Sequence, residues 1–379
     1  MKSKITGLIM SIIILLIIII LVCFGIMIYK EITSNESIAT DVENFVSTYS
    51  TLFEDTKKEE NVVTPQIIEN TTEIPKTPTT NKTNIDYSKI ETDGFFYEQL
   101  EPESQTIYKA LQANEEEMKT GTATIDLGTT FSDLLATSGG EQKLGEYYQS
   151  AVESYLYDNP RIFYISANKL YLNIETTTRG NKKTYKVFIN NGSQPNYFSD
   201  EYTSQSQVEQ AIDMVEKTKN QIMSQKTNNT YNNIKMVHDY LINNVEYDST
   251  LAKDNIYNIY GALVNKQSVC EGYAKAFKYL LDEMQIPCVM VIGQATNSKG
   301  ETENHAWNYV RINNSWYAVD STWDDPVIIG NGTISNDIKY KYFLRGSTKM
   351  NEDHIPNTQF TEEGRNYEYP ILSQYDYEN

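Results

Sequence analysis

Asn313-Asn314 constrains this chain more than any other pair of residues, because it sets how two extended stretches must face each other. Asparagine tolerates the positive φ that both central residues of a tight hairpin turn require. The flanking segments, Val310-Arg-Ile312 and Ser315-Trp-Tyr317, are rich in the β-branched and aromatic residues of strands. A two-residue turn pairs Ile312 with Ser315, sets His305 opposite Thr322 and makes Asp320 the diagonal neighbour of His305. Such diagonal positions lie about 7–8 Å apart, within reach of long or aromatic side chains. A slip of one residue would put the two on opposite faces. Trp307 falls opposite Asp320 in the same register, where it would shield a His305–Asp320 bond from water.

The chain has three cysteines and three histidines. Cys270 opens a stretch with Ala274, Phe277, Leu281 and Met284 at helical spacing, stopped by Pro287. A sulfur at a helix start faces unpaired backbone N–H groups and the positive end of the helix dipole; both, like an imidazolium partner, favour the thiolate. Gly272 would let another element approach closely. Asp320 can then fix one imidazole nitrogen of His305 while the other addresses Cys270. Asp324 and Asp325 compete for the carboxylate role, but they precede Pro326 and have the look of turn residues. The plain readings are a buried helix cysteine and a core histidine. Cys288, in Pro287-Cys-Val-Met-Val-Ile292, reads as a small apolar filler of a buried strand; a disulfide to Cys270 would exclude an enzyme.

The order of these residues and their surroundings resemble the transglutaminase-like superfamily. The motifs are Cys270-Glu-Gly-Tyr-Ala274, His305-Ala-Trp307, Trp316-Tyr-Ala-Val-Asp320 and Thr322-Trp-Asp324. The resemblance covers roughly residues 231–346. It implies an α+β fold with a papain-like core, in which a helix bearing the Cys packs on an antiparallel sheet, and a catalytic triad of Cys270, His305 and Asp320. The Cys270 backbone N–H would be one oxyanion donor. Gln267 is a second candidate, or equally a loop residue before the helix. No acidic cluster suits the calcium sites of the animal cross-linking members. No His/Cys/Asp/Glu group has metal-ligand spacing, so neither metal nor cofactor is expected. His238 reads as a helix-face residue, and His354 has a family-like position without an assignable role.

The rest of the chain divides by composition. Ile5 to Ile28 is almost unbroken apolar sequence, long enough to span a bilayer, and predicts a transmembrane anchor over 5–29. Lys2 and Lys4 precede it, which favours a cytoplasmic N-terminus and an extracytoplasmic body. Residues 30–92 are rich in Thr, Asn, Glu and Pro and read as a disordered linker. Residues 93–228 form an α+β extension, with helical spacing over Glu103–Met118 and Glu146–Leu156. Strand-like runs follow at Arg161–Ile165, Lys169–Ile174 and Thr184–Ile189, and Ser204-Gln-Ser-Gln207 has the form of a helix cap. Support of the core and shaping of the cleft are equally open as its task. Residues 229–379 form the catalytic domain, in which Tyr231–Val245 and Tyr257–Val264 predict helices.

A net charge of −19 excludes nucleic-acid binding through phosphate neutralisation. The partners expected are the membrane, through the anchor, and a protein or peptide substrate at the cell surface or cell wall. The expected activity is cleavage of peptide or amide bonds through an acyl-thioester. The alternatives are glutamine transamidation (cross-linking) and a catalytically silent module that binds a peptide or cell-wall strand.

Overall fold

The structure, a computed structural model, describes residues 68–69, 87, 90, 92, 94–325, 335–357 and 367–378. All of the described residues belong to one compact unit, 63–379. The apolar run 5–29 and nearly all of the expected linker lie outside the described residues. Among the described residues, no helix is long and apolar enough to cross a membrane.

That unit mixes helix and sheet. β1 (Ile68–Glu69) belongs to the stretch expected as linker, yet it pairs in parallel with Asn173 and Ile174. α1 (Pro102–Ala113), β2 (Ile125–Gly128) and α2 (Gly140–Asp158) lead to the hairpin β3 (Tyr171–Arg179) and β4 (Lys182–Asn190). Gly180, with φ 61°, makes the tight turn between them. The sheet runs β1-β3-β4-β2. Its inward residues Leu172, Val187 and Ile189 are buried with Ile107 and Leu111 of α1 and Tyr148 and Val152 of α2. Arg161–Ile165, expected as a strand, is a turn with one isolated bridge, Ile165 to Phe198. Its aromatic and β-branched content serves burial: Ile162, Phe163 and Tyr164 all enter the core.

α3 (Gln205–Met223) starts at Ser204, whose hydroxyl accepts the Gln207 N–H. α4 (Thr230–Asn244) buries Ile234, Val237 and Leu241, as their spacing predicts. A single π-helical turn, Gly261–Asn265, replaces the helix expected over Tyr257–Val264. β5 (Glu246–Tyr247) and β6 (Gln267–Ser268) then pair in parallel just ahead of α5 (Cys270–Asp282). Phe277, Leu280 and Leu281 of α5 are fully buried, contributing about 1.5–3 kcal/mol each.

The second sheet consists of β7 (Cys288–Thr296), β8 (Thr302–Ile312), β9 (Ser315–Val319) and β10 (His354–Pro356), in the order β10-β7-β8-β9. β8 and β9 pair antiparallel with Ile312 against Ser315, across Asn313 (φ 49°) and Asn314 (φ 66°). This is the register the turn chemistry dictates. α5 packs on β7 and β8, and the Asn308 side-chain amide on β8 donates to the Ala274 carbonyl on α5 at 3.0 Å. Helix and strand are thereby pinned in one relation. The hydrophobic core is continuous from the extension to the C-terminal half, taking in Tyr148, Ile162, Val237 and Phe277.

Candidate active site

Cys270 is the first residue of α5, so its backbone N–H has no acceptor within the helix. Its thiol is partly exposed, and Cys288 is buried; both are free. The possible disulfide is therefore absent, and Cys288 is the apolar filler of β7, its thiol pushed up by burial. Gly272, two residues after Cys270, sits where a Cβ would meet the Ser268 hydroxyl and, at 2.6 Å, the Ile256 carbonyl. Only glycine lets the β6 segment close onto the helix start.

His305 lies in the middle of β8, almost wholly buried, and Asp320 directly follows β9. Nε2 of His305 donates to Oδ2 of Asp320 at 2.8 Å. That bond leaves Nδ1 for the sulfur, and a hydrogen bond to Cys270 is among the interactions acting on the ring. Burial by itself would lower His305; the Asp320 charge, the hydrogen bond to it and the Cys270 thiol outweigh burial and hold the imidazole up at about 10. Burial would raise Asp320, but His305 and His354 outweigh it and keep the carboxyl far below its ordinary value. Oδ1 of Asp320 accepts the backbone N–H groups of Thr322 (2.9 Å) and Trp323 (3.2 Å). Trp307 is buried with its ring stacked on His305 at 6.0 Å, which keeps water from the pair.

The competing carboxylates are engaged elsewhere. Asp324 receives His238 Nε2 at 3.0 Å and the Tyr342 N–H at 2.8 Å, and Asp325 accepts the Tyr273 hydroxyl at 2.5 Å. His238 lies on the buried face of α4, between Asp324 and Asp239. Burial would lower it, yet the two carboxylates raise it. Gln267 stands on β6, partly buried, opposite Glu246.

Three residues at the site were not legible beforehand. His354 of β10 reaches Asp320 Oδ2 with Nε2 at 3.2 Å. Tyr247 of β5 pairs with Ser268, two residues before Cys270; burial first, then the charges of Cys270, Glu303 and Asp320, push its hydroxyl up. Tyr157, from α2 of the extension, packs with Cys270 and Ile292 around Ala274, Met290 and Ala306. The extension thus contributes a side chain to the cluster that Cys270 packs against.

His305, Asp320 and His354 each bring one potential ligand atom within 4.8 Å of the others, a grouping the sequence spacing does not show. Both Nε2 atoms donate to Asp320, and its second oxygen is taken by two backbone N–H groups. A metal ion would have to displace both imidazole protons. The arrangement fits a buried carboxylate held by four donors.

Residues 216–321, which carry Cys270, His305 and Asp320, match the family model described as the transglutaminase-like superfamily. This is a transglutaminase-like domain. The kyphoscoliosis peptidase of Mus musculus is 25% identical over 147 residues, 36% of this chain and 22% of that protein. Its Homo sapiens counterpart is 25% identical over 140 residues, 33% of this chain and 21% of that protein. The chain therefore spans about a fifth of the length of these curated relatives. Among solved structures, the crystal structure of a TGase overlaps 55% of this chain and 57% of its own, at 16% identity and a TM-score of 0.29. The matched stretch begins within α3 and ends just past β9.

Proposed function

We propose that this chain is a cysteine acyl-transfer enzyme that hydrolyses peptide or amide bonds, with Cys270, His305 and Asp320 as its catalytic residues. One observation carries the reading: a single buried imidazole bonds Asp320 through Nε2, and the helix-start thiol acts on the same ring. The peptidase name of the curated relatives favours hydrolysis over cross-linking.

The sulfur of Cys270 attacks the carbonyl carbon, and the charge that builds on oxygen meets the Cys270 backbone N–H, with Gln267 as the second donor. The His305 imidazolium passes its proton to the departing amine as the C–N bond breaks, leaving an acyl-thioester. Water, deprotonated by His305, then attacks the thioester carbonyl. The acid leaves and the thiol is restored. Asp320 stays ionised throughout and fixes the ring.

The apolar run 5–29 places the body on the outer face of a membrane in this reading, where substrates are cell-surface or cell-wall peptides. Membrane fractionation with protease accessibility from outside the cell tests the topology; a body protected from external protease sinks it. For the chemistry, surface proteins are incubated with the protein and with Cys270→Ala and then sequenced by mass spectrometry. Cysteine-dependent new termini support hydrolysis. New isopeptide links would mean transamidation, and no change in either would leave a binding module.

A further inference from the structure

Asp320 does not serve His305 alone. Its Oδ2 takes Nε2 of His305 at 2.8 Å and Nε2 of His354 at 3.2 Å. The other nitrogen of His354 faces Asp353 Oδ1 at 2.7 Å, and Asp353 Oδ2 accepts the Tyr342 hydroxyl at 2.6 Å. The Tyr342 carbonyl in turn accepts the Asp320 N–H at 3.1 Å. Asp320, His354, Asp353 and Tyr342 thus form a closed circuit of hydrogen bonds. His354 is fully buried, with Trp323 at 4.6 Å, Trp307 at 5.0 Å and Tyr342 at 5.2 Å between ring centres. Gly293, on the strand between β8 and β10, makes room for this packing: a Cβ there would meet the Trp307 ring at 2.7 Å and the Ile355 carbonyl closer still.

A second donor on one carboxylate oxygen draws off part of the charge that oxygen offers the first. An imidazolium held too firmly by its carboxylate is a poor acid toward a leaving amine. We infer that His354 is a positioning residue for the His305–Asp320 pair: it orients Asp320 and limits how tightly Asp320 holds the proton on His305. The inference rests on Cys270, His305 and Asp320 being the catalytic residues. The groups that bear on the proton are Cys270, Asp320 and His354 around His305, and Asp353 and Tyr342 beyond them. Asp324 and Tyr247 also act on Asp320 through space.

Three variants separate donation from packing. His354→Phe keeps a ring and removes the donor. His354→Gln keeps a donor near the Nε2 position. His354→Asn reaches toward Asp353 but not Asp320. Two readouts apply to the full chain: the pH dependence of Cys270 alkylation by iodoacetamide, whose upper transition marks loss of the imidazolium proton, and the downfield proton resonance of His305 Nε2–H. In His354→Phe the upper transition moves up by about one pH unit and the resonance moves downfield, because the remaining hydrogen bond strengthens. His354→Asn behaves like Phe, and His354→Gln returns toward the wild type. Should the Phe variant not fold, the Gln–Asn contrast decides. Superimposable profiles across the variants would reduce His354 to packing while leaving the catalytic reading intact. A wild-type profile without an upper transition would remove the catalytic reading, and this inference with it.

Discussion

Two buried imidazole–carboxylate pairs take their carboxylates from one loop of this protein, and they differ in what they hold. His305 holds Asp320 at 2.8 Å, and His238 holds Asp324 at 3.0 Å, four residues further on. Asp320 has four donors, from His305, His354, Thr322 and Trp323. Asp324 has His238 and the Tyr342 N–H. Burial pushes Asp324 up to about 6 against these bonds, whereas Asp320 is held far below its ordinary value. Only the first pair meets a thiol. The second grips the backbone of Tyr342, whose carbonyl also holds the Asp320 N–H, and so braces the loop that presents Asp320. In the proposed reading, what faces the second nitrogen decides whether an imidazole–carboxylate pair is a catalytic device.

The largest effect should separate the pairs by activity. Asp320→Asn is expected to lower acyl transfer by about 10³–10⁴-fold with the fold retained, since the amide oxygen can still accept the Thr322 and Trp323 N–H groups. Asp324→Asn acts only through the loop and should cost no more than about 10²-fold. Equal losses, measured as Cys270-dependent turnover, would erase the distinction drawn here.

Stability should rank them the other way. His238→Ala leaves Asp324 buried with one donor, a loss of about 3 kcal/mol. His305→Ala leaves Asp320 three donors, so a loss of about 1–2 kcal/mol is expected. Urea melts at pH 7 read both, and a larger loss for His305→Ala would show that the His305–Asp320 pair is the structural one.

Glu153 offers the case of a carboxyl with no imidazole. It is pushed up to about 7 by burial, against a weak bond from Gln149, and its Oε2 has no partner. A carboxyl raised above its ordinary value stabilises the fold in its protonated form, and that contribution is lost as pH rises through 7. Glu153→Gln should therefore match the wild type near pH 4 and exceed it at pH 8, by about 2–3 kcal/mol. Melting curves that stay parallel across that range would contradict this.

How much of this was legible follows from the range of the interactions. The Asn313-Asn314 turn, the register of β8 on β9 and the apolar stripe behind Cys270 are local, and their residues state them. His354 and Asp324 found partners 34 and 86 positions away, along contacts no periodicity encodes. β10 is three residues long and carries no strand pattern of its own. Arg161–Ile165 misleads because aromatic and β-branched residues suit any buried segment, and here a turn buries them. Tyr157 joins the cluster that Cys270 packs against from more than a hundred positions upstream, so nothing near the thiol announces it.

That tyrosine means the surroundings of the thiol are written in two distant parts of the gene product. Moving residues 216–321 alone into another scaffold would leave the cluster around that thiol without its upstream side chain. Two proteins with identical motifs around the thiol, the imidazole and the acid would then differ in what they admit through the preceding helix alone. If the chain acts as proposed, its selectivity can drift without a single change in the segment that carries the three residues.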